Sequence, residues 1–412
     1  MLELFFFGLK SNQKAAQTTP KMRFTAKKSL ICGALFTSAG LLSACGDTKA
    51  DTTPTLDNAQ IAKLIPSRVK QRQSWADDIA KVFDELKLHK DVQNICTAIA
   101  VIDQESNFAA DPQVAGLGRA SLAAIDEKLA EKFGDNLAKI FRTMLETRPS
   151  TDNSFIKQIQ KVKTERELDL LFQEIFDYFT STYKVAGLAQ IAKLTGEGID
   201  ERINPITTLG SMQVHIDYAR SHRRQNMSDR ALREDLYSQY GGLYYGIHRL
   251  MKYEAKYDNP LYRFADYNSG VYSSRNAAFQ QRIITLGGTK ISIDGDLLLY
   301  KDGRALGKKS ETETALIRLL ATAPTPVDSK QIRSDLRKEK TARFEETITY
   351  RTVSEMFKQK TGREASYAIM PKVVISGPKL SRDYDTNWFA TRVNNRYETC
   401  LSTAKKAKLP LK

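Results

Sequence analysis

Apolar residues recur at helical spacing through most of residues 62–280, and this periodicity restricts the larger part of the chain to a mainly α fold. The run from Ser74 to Leu88 puts Trp75, Ile79, Val82, Phe83 and Leu86 on one side of a helix. Asp91 is placed to cap the next helix, whose apolar stripe is Ile95, Ile99 and Ile102. The same pattern predicts helices over 120–133, 135–147, 154–162, 165–183, 229–254 and 273–285. After "TLGG" (285–288) the texture changes. "KISIDGDLLLYKDGRAL" contains short β-type runs with Asp-Gly turn signals. Helical stretches follow at about 309–322, 328–339 and 349–361, and "YAIMPKVVI" (367–375) reads as a strand. The expectation is a helical domain over 61–286 and a small α+β appendage over 287–412.

The N-terminal residues read as a leader. Arg23, Lys27 and Lys28 precede a mostly apolar stretch, Leu30 to Leu42, which is too short to span a bilayer comfortably. It ends in Leu42-Ser43-Ala44-Cys45, small residues directly before a cysteine. This resembles the lipobox of bacterial lipoproteins, which implies lipidation at Cys45 and cleavage before it; the plainer reading is an ordinary cleaved signal. Residues 1–44 are then leader, starting from Met22, and the polar "GDTKADTTPTLDN" (46–58) lies in a tether over 45–60. Gly46 after the cysteine, in place of the aspartate that favours inner-membrane retention, implies an outer-membrane anchor on the periplasmic side.

Composition is that of a globular chain, with 41% hydrophobic and 27% charged residues, which argues against wholesale disorder and a polytopic membrane protein. Loss of the leader takes away six basic residues and one acid, lowering the formal charge from +15 to +10. A basic exported protein suits an anionic polymer or anionic lipid head groups, and no basic run is interleaved with aromatics in a nucleic-acid pattern. Beyond Cys32 and Cys45 only Cys96 and Cys400 remain. In an oxidising compartment they invite a disulfide that would close a very long loop, a contribution of about 4–5 kcal/mol; the alternative is two buried thiols.

Three short motifs occur in order: Glu105-Ser106 within "IDQESNF", Gly210-Ser211-Met212-Gln213 within "TTLGSMQVH", and Tyr267-Asn268-Ser269-Gly270 within "RFADYNSG". Together they resemble the lytic transglycosylases of the soluble-lytic-transglycosylase type, whose pattern is E-S, G-[LI]-M-Q and A-Y-N-x-G. The nearer likeness is to outer-membrane lipoproteins built on a lysozyme-like core. The resemblance covers roughly 90–135 and 203–280 and implies a lysozyme-like helical catalytic core. A helical insertion at about 118–202 separates Glu105 from Gly210. Ser211 stands where the pattern has Leu or Ile, and Asp266 where it has alanine.

The chemistry asks for a carboxylic acid that stays protonated near neutral pH, because the leaving glycosidic oxygen needs a proton. Glu105 continues the Ile95/Ile99/Ile102 stripe onto the core-facing side, where burial and the helix C-terminus both raise its pKa. The resemblance implies that Glu105 protonates the bond between N-acetylmuramic acid and N-acetylglucosamine and then acts as base on the muramyl C6 hydroxyl, leaving an anhydro-muramyl end. It implies further that Tyr267 orients the carboxyl, that Met212 and Gln213 line the sugar groove, and that Ser106, Asn268 and Gly270 support it. The partner is then a peptidoglycan glycan strand, with no cofactor and no metal; the four histidines show no ligand spacing apart from His215 and His222, seven apart with no cysteine cluster nearby, where surface or core placement is the plainer reading.

Plainer readings stand beside these. Glu105 can be a solvated helix-end residue, Tyr267 a core aromatic and Met212 core filler. Asp103, on another helix face, is expected to be solvated. Asp266 is a candidate second carboxylate that would turn lyase chemistry into lysozyme-type hydrolysis. A catalytically silent lipoprotein that binds glycan or a partner in the same groove is the third reading.

Overall fold

The computed structural model describes residues 54–182, 204, 206–301, 303–375 and 383–411. The leader, Cys45 and most of the tether lie outside them. All of the described residues belong to one compact unit. The fold is mainly α, as the periodicity requires, and strand among the described residues is reduced to three two-residue antiparallel pairs.

The first core is built around α3 (Val92–Glu105). Asp91 caps it by accepting from the Asn94 N–H at 2.8 Å. The sequence pattern predicts one apolar stripe, but Ala98, Ala100 and Val101 are buried as well as Ile95, Ile99 and Ile102. A helix apolar nearly all round belongs at the centre of a bundle, and α3 is there. Around it lie α1 (Asn58–Leu64), α2 (Arg72–Glu85) and helices from the later chain.

The insertion supplies α4 (Leu117–Phe133), α5 (Asp135–Thr147), α6 (Phe155–Lys161) and α7 (Glu165–Thr182). They join the same core through Phe155, Ile159, Leu168 and Phe179, with Phe155, Tyr178 and Phe179 in mutual ring contact. A short hairpin follows, β1 (Thr208–Leu209) with β2 (Val214–His215), and then α8 (Ile216–Ser221). The helix expected over 229–254 is two, α9 (Asp229–Tyr237) and α10 (Gln239–Met251). Ser238 divides them, its backbone extended and its hydroxyl accepting from the Gly241 N–H at 2.9 Å. The buried pair Arg233–Asp169, at 3.2 Å, ties α9 to α7.

α11 (Pro260–Ser269) and α12 (Ser273–Gly287) lead into a second core formed by α13 (Glu311–Ala321), α14 (Ser329–Leu336) and α15 (Ile348–Thr361). Phe279 of α12 lies among the rings of Phe344 and Tyr350. β3 (Tyr300–Lys301) pairs with β4 (Arg304–Ala305), whereas of the strand expected over 367–375 only β5 (Val374–Ile375) pairs, with β6 (Tyr384–Asp385).

The segment expected as an appendage does not stay together. Its last helix, α16 (Thr386–Lys406), returns to the first core and packs on α3 and α11. Phe389, Ala390, Val393, Tyr397, Cys400 and Ala404 form its buried face, at helical spacing that a reading of 287–412 as one lobe overlooks. Cys96 and Cys400 are joined as a disulfide, with Cα atoms 5.5 Å apart.

Candidate active site

Glu105 is the last residue of α3, 5% exposed, and its Oε2 accepts no hydrogen bond within the protein. The helix ends there because Ser106 leaves the helical region; its N–H and its hydroxyl both donate to the Ile102 carbonyl, at 3.1 Å each. Asn107 and Phe108 follow with positive φ, turning the chain away. Burial pushes the Glu105 carboxyl up from the ordinary 4.5 to about 8. The charges of Arg249 and Arg396 pull it down, and that of Glu165 adds to the rise. At neutral pH the carboxyl is therefore mostly protonated, an acid held out of water.

Tyr267, near the end of α11, has its hydroxyl pKa raised chiefly by burial; the charge of Arg249 lowers it and that of Glu105 adds to the rise. Its hydroxyl does not reach for Glu105, however. It donates to the Met212 carbonyl at 2.6 Å. The expected orienting bond to the acid is replaced by one that fixes the 210–213 hairpin turn against α11.

The hairpin explains its own sequence. Gly210 has φ +76°, and a Cβ there would lie 2.1 Å from the Leu236 carbonyl. Met212 is expected in the sugar groove but is fully buried, packed on Gly246 of α10, where a Cβ would come within 2.3 Å of its Sδ. It acts in the site through its backbone carbonyl. Ser211 is likewise buried, against Gly242, which is why a small residue replaces Leu or Ile there. Gln213 takes φ +49° and is half-buried. Its amide Nε2 donates to Glu165 Oε2 at 3.1 Å and its Oε1 accepts from the Thr208 hydroxyl at 3.0 Å.

Asn268 is 7% exposed and accepts from the Thr386 hydroxyl at 3.3 Å, linking α11 to α16. Gly270, at φ +119°, ends α11 with its N–H on the Asp266 carbonyl at 2.8 Å. Asp266 is not a second catalytic carboxylate. It is fully buried and accepts from the Tyr257 and Tyr253 hydroxyls at 2.5 and 3.1 Å, the Ser273 hydroxyl at 3.0 Å, and the Tyr272 and Ser274 N–H groups at 3.0 and 2.7 Å. It organises the turn from α11 to α12. Asp103 is not solvated: it is 8% exposed and pairs with Arg68 and, at 3.1 Å, with Arg396.

Three residues at the site escape the motif reading: Glu165 from the insertion, Arg249 from α10 and Arg396 from α16. Motif spacing carries no trace of Glu165 or Arg396, because each arrives on a helix distant in sequence. Arg249 had a usable signal. Gly242 and Gly246 at i, i+4 mark the face of α10 that meets a neighbouring backbone, and Arg249 lies one turn on. Among the described residues no group of three or more His, Cys, Asp or Glu is placed to hold a metal ion.

No solved structure matches the chain. It is 32% identical over 382 residues to the uncharacterized protein YaiW of Escherichia coli (strain K12), covering 92% of this chain and 99% of that protein. Residues 68–403, which include Glu105, the hairpin, Tyr267 and both bridged cysteines, match the family described as "Protein of unknown function (DUF1615)", and the chain belongs to that family.

Proposed function

We propose that this protein is a lytic transglycosylase that cleaves the bond between N-acetylmuramic acid and N-acetylglucosamine in peptidoglycan. One observation carries the reading: the only acid in the E-S motif is buried at a helix end with its pKa raised to about 8, so it holds a proton at neutral pH. Glu105 gives that proton to the glycosidic oxygen as the bond to the muramyl C1 breaks. The resulting carboxylate forms within the fields of Arg249 and Arg396, which offset its charge. It then takes the proton of the muramyl C6 hydroxyl while that oxygen bonds to C1, and the acid is regenerated without water. The lysozyme-like core belongs to this proposal, as do lipidation at Cys45 and an outer-membrane anchor. Among the described residues no helix is long and apolar enough to cross a membrane.

The hydrolase alternative loses its named second carboxylate, because Asp266 is committed to the α11–α12 turn. A silent glycan-binding protein is the competing reading favoured by the Tyr267 hydroxyl being spent on Met212. Digestion of purified sacculi by the mature protein, with released muropeptides weighed, separates the three. Anhydro-muramyl ends are expected; reducing ends would mean hydrolysis, and no release would mean binding alone. Glu105→Gln should lose about 10²-fold or more in rate with its fold intact.

A further inference from the structure

Arg249 is unlike the other arginine beside the acid. Arg396 pairs with Asp103 at 3.1 Å, whereas no carboxylate lies within ion-pairing distance of the Arg249 guanidinium among the described residues. It is held by softer contacts. One nitrogen donates to the Tyr267 carbonyl at 2.9 Å, and the guanidinium lies 5.3 Å from the centre of the Tyr267 ring and 5.7 Å from that of Tyr218. Tyr218 is fixed in turn: its hydroxyl is 2.7 Å from His248 Nδ1, and its ring stacks on His222 at 4.2 Å. Arg249, Tyr218, His222 and His248 are all partly exposed. A preorganised guanidinium of this kind, with donors left over and no ion pair while Glu105 holds its proton, suits a planar anion from outside the protein.

We propose that Arg249 is the anion-binding group of the site and that it takes a carboxylate carried by the glycan strand beside the bond protonated by Glu105. The proposal rests on the peptidoglycan reading above and adds a substrate requirement to it. Peptidoglycan offers carboxylates from two sources, the muramyl lactyl group of peptide-free strands and the peptide stem. A neutral N-acetylglucosamine oligomer has the same sugar backbone and no carboxylate. The ring contacts with Tyr218 and Tyr267 orient the guanidinium at little entropic cost, so its selectivity comes from the charge-assisted bond itself.

The test measures binding rather than turnover, using full-length Glu105→Gln protein so that the glycan stays intact. Peptide-bearing strands, amidase-treated peptide-free strands and neutral N-acetylglucosamine oligomers are compared, with and without Arg249→Gln. Arg249→Gln should weaken binding of carboxylate-bearing strands about tenfold or more and leave the neutral oligomer unchanged. Loss on peptide-free strands assigns the lactyl carboxylate; loss confined to peptide-bearing strands assigns the stem. Equal loss on the neutral oligomer, or no loss anywhere, overturns the proposal. Arg249→Lys, which keeps the charge but loses the planar fork, should retain only part of the preference. If Arg249→Gln fails to fold, added salt must weaken the carboxylate-bearing ligands alone, and a uniform response overturns the proposal. Anhydro ends from the wild type with no discrimination by Arg249 would sink only this inference. No glycan bound and no muropeptide released would sink the peptidoglycan reading, and this inference with it.

Discussion

A carboxyl group that keeps its proton to about pH 8 makes the folded state depend on pH in a definite direction. Folded Glu105 binds its proton more tightly than the unfolded chain does. Between about pH 4.5 and 8 the folded state therefore holds the extra proton, and stability falls as pH rises through that window. Glu105→Gln removes the effect. Thermal melts should show the variant level with wild type near pH 4 and several degrees more stable at pH 8–9, a difference on the order of a few kcal/mol. A variant that is less stable throughout would mean that the carboxyl is not under this strain. The burial was legible beforehand, since three isoleucines in register point the acid inward. The Met212 carbonyl as partner of Tyr267 was not, because a backbone acceptor leaves no mark in a residue pattern.

At the scale of elements, the contact between the hairpin and α10 fixes the geometry. Gly246 lets Met212 sit directly on the helix backbone, and the Met212 carbonyl then meets Tyr267. Gly246→Ala puts a methyl group where Met212 lies, and the cost should be about 1–3 kcal/mol in denaturant unfolding. Activity should fall by more than stability explains, since the displaced turn carries Gln213. An Ala variant that unfolds and works like wild type would mean that the hairpin does not set the geometry of the site. Element types were readable from periodicity for most helices. The division at Ser238 was not, because one apolar stripe runs through both halves and only the serine's capping bond separates them. The α16 helix was overlooked for a related reason: its apolar positions are spaced by charged and polar residues and were read within an appendage. Its partner, α3, lies at the other end of the folded chain.

For the molecule as a whole, the disulfide is the longest-range covalent constraint, closing a loop with a sequence separation of 304. Reduction, or Cys96→Ser with Cys400→Ser, should lower unfolding free energy by about 5–6 kcal/mol in the chain-entropy picture for a loop of this length. A lower denaturant midpoint with a steeper slope, from the less compact unfolded chain, is the expected readout; no shift would mean that packing alone holds α16. Cysteine count and export signal together suggested the bridge, whereas the fate of 287–412 was hidden. Hydropathy along the chain records how much each segment buries but not which core receives it.

The seating of α16 has a consequence for when the surroundings of the site are complete. Arg396 braces Asp103 beside the acid, and Cys400 clamps the same helix to α3. A polypeptide that has emerged only as far as residue 385 carries Glu105, the hairpin and Tyr267, yet its central helix is bare on one flank. The flank of α3 that carries Cys96 and Asp103 is completed only when the last helix docks.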